Sequence, residues 1–141
     1  MTLKFTLERF CKRKGLYCGV VAIIEKDGKY LLVDRANRPY GHSFITGHVH
    51  YGESLRKAAI REVREEVGLR VVDCDFLRKE EVHRECIENC ERHLCYFYKC
   101  KVGGEIKIDS REVKSARWYS KEAVNKLKLE PLTKEWFDEL K

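Results

Sequence analysis

A chain of 141 residues has the length of one domain, and its 43% hydrophobic and 37% charged residues provide a packed interior beneath a strongly ionic surface, which excludes a disordered chain. Lys and Arg outnumber Asp and Glu by 29 to 23, a formal charge of +6, with Lys4, Arg9, Lys12, Arg13 and Lys14 set against Glu8 alone at the start; such an excess suits an anionic partner, nucleic acid or a small phosphorylated ligand, but an ordinary solvated face is the preferred reading of the basic start. No run approaches the roughly eighteen apolar residues of a membrane span and no leader-like segment opens the chain, so the expectation is a soluble, cytoplasmic protein with one domain over residues 1–141 and no membrane partner.

In chain order, residues 18 to 33 read as two strands joined at Asp27-Gly28, a pair that favours a hairpin turn between aliphatic runs. Asn37 to Gly41 is rich in breakers and reads as a loop, followed by a short strand at Ser43 to Ile45. From Ser54 to Val67 the pattern becomes helical, with Leu55, Ala58, Ala59, Val63 and Val67 recurring mainly at steps of three and four; Ser54 is placed to cap the start and Gly68 to end it in the left-handed region. Strands are expected at Leu69 to Val72 and Phe76 to Leu77, and most clearly at residues 92 to 102, where Leu94, Tyr96, Tyr98, Cys100 and Val102 alternate with His93, Cys95, Phe97, Lys99 and Lys101. Gly103-Gly104 turns into a further strand at Glu105 to Ile108. Another follows at Ala116 to Tyr119, then a short helix at Lys121 to Leu127 and a terminal one opened by Pro131, with Leu132, Trp136, Phe137 and Leu140 on one side. This mixture is that of an α+β or α/β/α domain.

The informative stretch is Gly47 to Leu69, GHVHYGESLRKAAIREVREEVGL. Its helix places Glu65 and Glu66 three and four residues after Glu62, so like charges neighbour one another at a cost of a few tenths of a kcal/mol per pair unless cations compensate. Magnesium suits the task, being a hard ion that binds carboxylates together with substrate phosphates. Arg61 stands four residues before Glu65 and is expected to pair with it, leaving Glu62 and Glu66 to face metal. A solvated face balanced by Arg56, Lys57, Arg61 and Arg64 is the competing reading.

The same residues resemble the signature of the Nudix hydrolases: Gly47, Glu53, Arg61, Glu62, Val63, Glu65, Glu66, Gly68 and Leu69 fill every specified position, over 23 of the 141 residues. The order of strands, helix, strands and terminal helix is also similar to that family's. The resemblance implies a Nudix-like α/β/α sandwich with a mixed β-sheet between helices. It further implies magnesium-dependent hydrolysis, with manganese as the substitute ion, of a pyrophosphate bond in a nucleoside diphosphate derivative or nucleoside triphosphate. Glu62, Glu65 and Glu66 match the metal-binding carboxylates, Arg61 the arginine that orients them, and Glu53 the glutamate that supports the loop and helix. Related enzymes take the proton on a box glutamate, here Glu65, or on one from a later loop, for which Glu112 is the candidate and a metal ligand as well. Many members carry Pro-Gly-Gly up to the first box glycine, whereas Ile45-Thr46-Gly47 stands here; Thr46 keeps a carbonyl to offer the metal, while its β-branched side chain narrows the backbone's choices.

Substrate selection is expected from residues outside the box, by stacking and charge: Arg35, Arg38, Tyr40 and Phe44, with His48 as a further substrate contact. Neither the SQPWPFPxS-like segment associated with NADH pyrophosphatases nor the proline that often follows the box in ADP-ribose hydrolases occurs, which weakens both assignments. A nucleotide, a nucleotide sugar, a dinucleotide or an RNA 5′ end therefore stay open as substrates, and a homodimer stays open because no segment specifies one. The alternative function is a catalytically weak nucleotide- or RNA-binding module on the same fold. Seven cysteines at irregular spacing predict reduced thiols, with Cys11, Cys18, Cys74 and Cys100 filling apolar spaces. His83, Cys86, Cys90, His93 and Cys95 offer enough donors for a zinc ion but lack a CxxC pair, leaving zinc, a redox pair or no linkage as the readings.

Overall fold

A computed structural model describes residues 16–83 and 92–140. The basic segment before Gly15 and most of the His83 to Cys95 stretch, with the zinc and redox alternatives attached to it, lie outside these residues. Strand β1 (Leu16–Lys26) turns at Asp27 and Gly28, both in the left-handed region (φ 53° and 76°), into β2 (Lys29–Arg35); two successive positive φ values are what a tight hairpin of this hand requires. The short β3 (His42–Ser43) and β4 (Ile45–His48) follow, and the latter leads by the loop through Gly52 into helix α1 (Leu55–Val67). Beyond it come β5 (Arg70–His83), β6 (Arg92–Gly103), β7 (Val113–Ser120), and helices α2 (Lys121–Val124) and α3 (Pro131–Glu139). No helix among the described residues is long and apolar enough to cross a membrane.

The sheet is mixed. β1 runs parallel to β6, from Leu16 opposite Arg92 to Ile24 opposite Cys100, and antiparallel to β4, while β5 closes the far side antiparallel to β6. The β1–β2 hairpin carries the sheet on to β3 and β7, which both pair with β2. Apolar side chains on both faces of β1 and β6 make two cores. Val20, Ala22, Ile24, Tyr96, Tyr98 and Cys100 meet Ala58, Ala59, Val63 and Val67 of α1. On the other face Val21, Ile23, Cys95 and Phe97 meet Phe44, Leu132 and Phe137 beneath α3. The result is the α/β/α sandwich expected. Arg78 fastens α3: its guanidinium carbon lies 4.9 Å from the ring centroids of both Phe97 and Trp136, and it pairs with Glu139 at 2.7 Å.

Three local expectations are corrected. The strands expected at Leu69 to Val72 and at Phe76 to Leu77 are not separate; residues 70 to 77 belong to a single strand of 14 residues whose register shifts after Val71 and after Phe76, and these bulges interrupt the alternation. Residues 105 to 108 form no strand, because their backbone completes the end of α1 instead: Lys107 N–H donates to the Val67 carbonyl at 2.7 Å and Asp109 N–H to that of Glu66 at 3.1 Å, satisfying carbonyls that a helix end leaves without partners. Cys18 is buried and disulfide-bonded rather than a free thiol, whereas Cys74 and Cys100 are free, buried and opposite one another on β5 and β6.

The cap of α1 holds this arrangement in place. Ser54 accepts from Lys57 N–H at 3.0 Å, and Gly68 (φ 70°) sends its N–H to the Arg64 carbonyl. A Cβ at Gly68 would lie 2.8 Å from the Lys107 carbonyl oxygen in a backbone conformation that side chains disfavour. Gly68→Ala is therefore expected to lower stability by at least ~1 kcal/mol, read from urea unfolding; an unchanged midpoint would mean that the 105–109 segment is not seated on the helix end.

Candidate active site

Arg61 is the centre of the site. Its Nε and Nη2 donate to Glu53 at 2.7 and 3.0 Å, Nη1 donates to Glu62 at 2.8 Å and to Glu65 at 3.0 Å, and Nη2 also reaches the His48 carbonyl at 2.9 Å. These five contacts match the five N–H groups of a guanidinium. The pairing with Glu65 alone, expected from helical spacing, is therefore too narrow: the same cation also holds Glu62, the next residue along the helix, and Glu53 from the loop. Burial works against the charge on Arg61, but its bonds to Glu53 and the charge of Glu62 outweigh that and keep it protonated. Burial likewise pulls the Glu53 carboxyl up, yet the bonds from Arg61 and from the His50 N–H leave it below the ordinary carboxylate range. Loop and helix are thus locked together by a fully ionised pair.

The other carboxylates are held under electrostatic stress. Glu62 is pushed up to about 7, by burial first, with Arg61 opposing and the charges of Glu65 and Glu112 adding to the rise. Glu66 is 4% exposed and its Oε2 has no hydrogen-bond partner. Burial raises it well above the usual value, the charge of Glu62 adds to this, and Arg35 acts the other way. Removing a carboxylate from water costs several kcal/mol, against a few tenths for each like-charge helix pair, so desolvation dominates here.

Gly47 serves this crowding through space rather than conformation, since its φ is not positive and a Cβ there would collide with the Glu62 carboxylate. Thr46 lies in regular extended backbone opposite Val21, so the narrowed choice of a β-branched residue is satisfied by β4 itself. Its hydroxyl accepts a 2.8 Å bond from Nη1 of Arg35. Arg35 ends β2 at a register shift between Asp34 and Arg35, an irregularity of the kind that re-aims a side chain beside a site.

Glu112 comes to the same region by backbone bonds. Its N–H donates to the Asp109 carbonyl, its carbonyl accepts from Ala36 N–H at 3.1 Å, and Asp109 is tied to Glu66. Its charge reaches both Glu62 and Glu66. Arg111 beside it is engaged by Asp109 at 3.0 Å. The part played by Asp109, which both ties this loop to α1 and occupies Arg111, carries no signal in the sequence beyond its closeness to Glu112.

The structure thus brings Arg35, Thr46, Glu53, Arg61, Glu62, Glu65, Glu66 and Glu112 together, with His48 contributing its carbonyl. It does not bring in Phe44, which is 1% exposed and stacked on Phe137 with centroids 5.4 Å apart. Arg38 is exposed, and the exposed Tyr40 ring has the Lys114 ammonium 5.9 Å from its centroid. Among the described residues no three His, Cys, Asp or Glu side chains are drawn together tightly enough to enclose a metal ion. The donor set nevertheless fits a hard divalent cation: two desolvated carboxylates, one with an orphaned oxygen, flanked by two more.

The chain belongs to the Nudix family: the NUDIX domain profile matches residues 14–140. It is 30% identical over 102 residues to the NAD-capped RNA hydrolase NudC of Klebsiella pneumoniae, covering 72% of this chain and 38% of that one. It is 40% identical over 72 residues to the ADP-ribose pyrophosphatase of Methanocaldococcus jannaschii, covering 47% and 43%. The matches thus span about two fifths of these curated relatives. In fold it is similar to the MutT NUDIX hydrolase of Burkholderia pseudomallei, with a TM-score of 0.78 at 21% identity, covering 89% of this chain and 98% of the other.

A carboxyl whose folded pKa lies above its unfolded value binds more protons when folded, so it destabilises the fold as pH rises between the two. For Glu62 the window runs from 4.5 to about 7, and the metal-free protein is expected to lose roughly 3 kcal/mol across it. A divalent cation held by the ionised form would restore stability increasingly toward pH 8. Glu62→Gln should flatten both responses. Thermal melts of the metal-free protein that are as pH-dependent in the variant as in the parent would contradict this assignment.

Proposed function

We propose that this chain hydrolyses a pyrophosphate linkage in a nucleoside diphosphate derivative or nucleoside triphosphate, with magnesium, or manganese in its place. The observation that carries the reading is the pair of buried carboxylates, Glu62 and Glu66, held beside Glu65 and Glu112, whose raised proton affinity shows that burial and like charge outweigh Arg61 and Arg35 among the described residues. Membership of the family and the activities named for the curated relatives support it. Glu62, Glu65 and Glu66 would hold the ion, with the Thr46 carbonyl and Glu112 at its edge. When bound, the ion supplies charge neutralisation on the phosphate oxygens and activation of water.

The protein's own part is orientation and proton transfer. Arg61 fixes Glu62 and Glu65 against the loop at Glu53, so the carboxylates meet substrate in one arrangement. Arg35 brings positive charge next to Glu66, where phosphate charge must be stabilised. Glu112 is the proton acceptor: it stands outside the Arg61 network, on a loop pinned to both α1 and β2. Water adds to one phosphorus as the bridging P–O bond breaks, its proton passing to Glu112, and two phosphorylated products leave. An ADP-containing diphosphate is the favoured class, because both curated relatives are named for such substrates.

The test is mass-spectrometric product analysis with magnesium on nucleoside triphosphates, ADP-ribose, NAD, nucleotide sugars and NAD-capped RNA. Cleavage of the diphosphate is expected, with a fall of roughly 100-fold in Glu66→Gln and in Glu65→Gln. Absence of cleavage across the panel, with ligand binding intact in both variants, would replace the hydrolase by a binding module.

A further inference from the structure

β5 is the edge of the sheet: among the described residues it pairs with β6 and with no other strand. Its ladder is interrupted on either side of a short regular stretch, between Val71 and Asp73 and again between Phe76 and Arg78. Inside that stretch Cys74 stands directly opposite Cys100 of β6, flanked by Asp73 opposite Lys101 and Asp75 opposite Lys99. Directly opposed residues of an antiparallel pair have Cα atoms roughly 4.5–5.5 Å apart, within the span of roughly 4.4–6.8 Å that a disulfide bridges. Both side chains lie in the core beneath α1, with Ala58 and Ala59, and neither is disulfide-bonded. The Cys100 thiol donates to the Cys74 sulfur at 3.6 Å. Closing a bond between them therefore asks for side-chain rotation rather than a shift of either strand.

The two sulfurs are not equivalent. The hydrogen bond from Cys100 lowers the Cys74 thiol from its ordinary value, and the charge of Arg56 works in the same direction against burial, Asp75 and Asp73. The same bond, together with burial, raises Cys100. Arg56, in the first turn of α1, is anchored here because its Nε donates to the Cys74 carbonyl at 3.2 Å. Cys74 is also the more accessible of the two, 5% exposed against 1%, which suits a small oxidant.

We propose that Cys74 and Cys100 form a redox-active dithiol that a small hydroperoxide oxidises to a cross-strand disulfide, fastening the edge strand β5 to β6. Its chemistry does not depend on hydrolysis at the carboxylate site. With hydrogen peroxide, the Cys74 thiolate attacks one peroxide oxygen, the O–O bond breaks, and hydroxide leaves to take up a proton. The Cys100 sulfur then attacks the sulfenic Cys74; the S–S bond forms as the S–O bond breaks, and the departing hydroxide takes the Cys100 proton. Two electrons pass from sulfur to oxygen, and two thiols with one hydrogen peroxide give one disulfide and two waters. The bond restricts the unfolded chain and pins the register of the stretch that the two bulges flank.

The experiment treats folded, reduced protein with hydrogen peroxide, alkylates the remaining thiols in denaturant, and maps peptides by mass spectrometry without reduction. A peptide linking Cys74 to Cys100 is expected, and dithiothreitol should abolish it. Its absence, with both thiols alkylated or joined to other cysteines, would overturn the proposal, as would a link that forms only when peroxide is added in urea. Urea unfolding is the second readout: peroxide should raise the midpoint of the parent by roughly 1 M and leave that of Cys100→Ser unchanged. An equal rise in Cys100→Ser, or no rise in a parent that carries the link, would overturn the fastening of β5. Should Cys100→Ser not fold, Cys74→Ser takes its place, and the peptide map of the parent needs neither.

Discussion

A single guanidinium gathers three carboxylates from one loop and the helix that follows it. Arg61 spends all of its donors on Glu53, Glu62, Glu65 and the His48 carbonyl, and it is itself mostly shielded from water. A cation so enclosed is strongly tied to its partners, because the same low-dielectric surroundings that penalise it alone strengthen each charged hydrogen bond it makes. Its reach has a limit, however. It satisfies Glu53 entirely and Glu62 in part, and it does not touch Glu66. Among the described residues, a surplus of negative charge stays at the two most buried carboxylates of the site, and Arg35 of β2 offsets it at Glu66. That imbalance distinguishes the region from a closed internal ion pair, and the proposed binding of a cation and a phosphate rests on it.

The fold's contribution is to bring the ends of three distant segments to that imbalance. β4 pairs with the central strand β1 and delivers Thr46 and Gly47. β2 delivers Arg35 from the hairpin. The segment after β6, which could have continued as strand, gives its N–H groups to the last carbonyls of α1 and carries Glu112 with it. Each connection is made by backbone, so the charged side chains are positioned by elements that do not depend on them. On the far face the aromatic cluster of Phe44, Phe97, Trp136 and Phe137, with Arg78 over two of its rings, seats α3 and backs the sheet.

Local signals in the sequence were the readable ones. The Asp27-Gly28 turn, the Ser54 and Gly68 caps and the periodicity between them specify their elements through neighbours only a few residues away, and each stands as expected. The alternation in β6 was also legible, although it could not say that both faces are buried, which follows from a helix on each side of the sheet. What escaped depended on contacts across the chain. Glu105 to Ile108 alternates like a strand, and only the unsatisfied end of α1 diverts it. Phe44 follows a loop and reads as a stacking residue until α3 is laid over it. Helical spacing shows Arg61 beside Glu65 but not the loop that folds Glu53 back onto the same guanidinium. The threonine before the box glycine reads as a departure from the family's pattern, and its acceptance of Arg35 emerges only when β2 and β4 are both in place.

The most direct test of the account is a crystal structure with manganese, read by anomalous diffraction at the metal's absorption edge. The account predicts a peak beside the carboxylates of Glu62 and Glu66, with Arg61 still holding Glu53. Ordered crystals containing saturating manganese but no anomalous peak at those two side chains, or a peak only elsewhere on the protein, would contradict it.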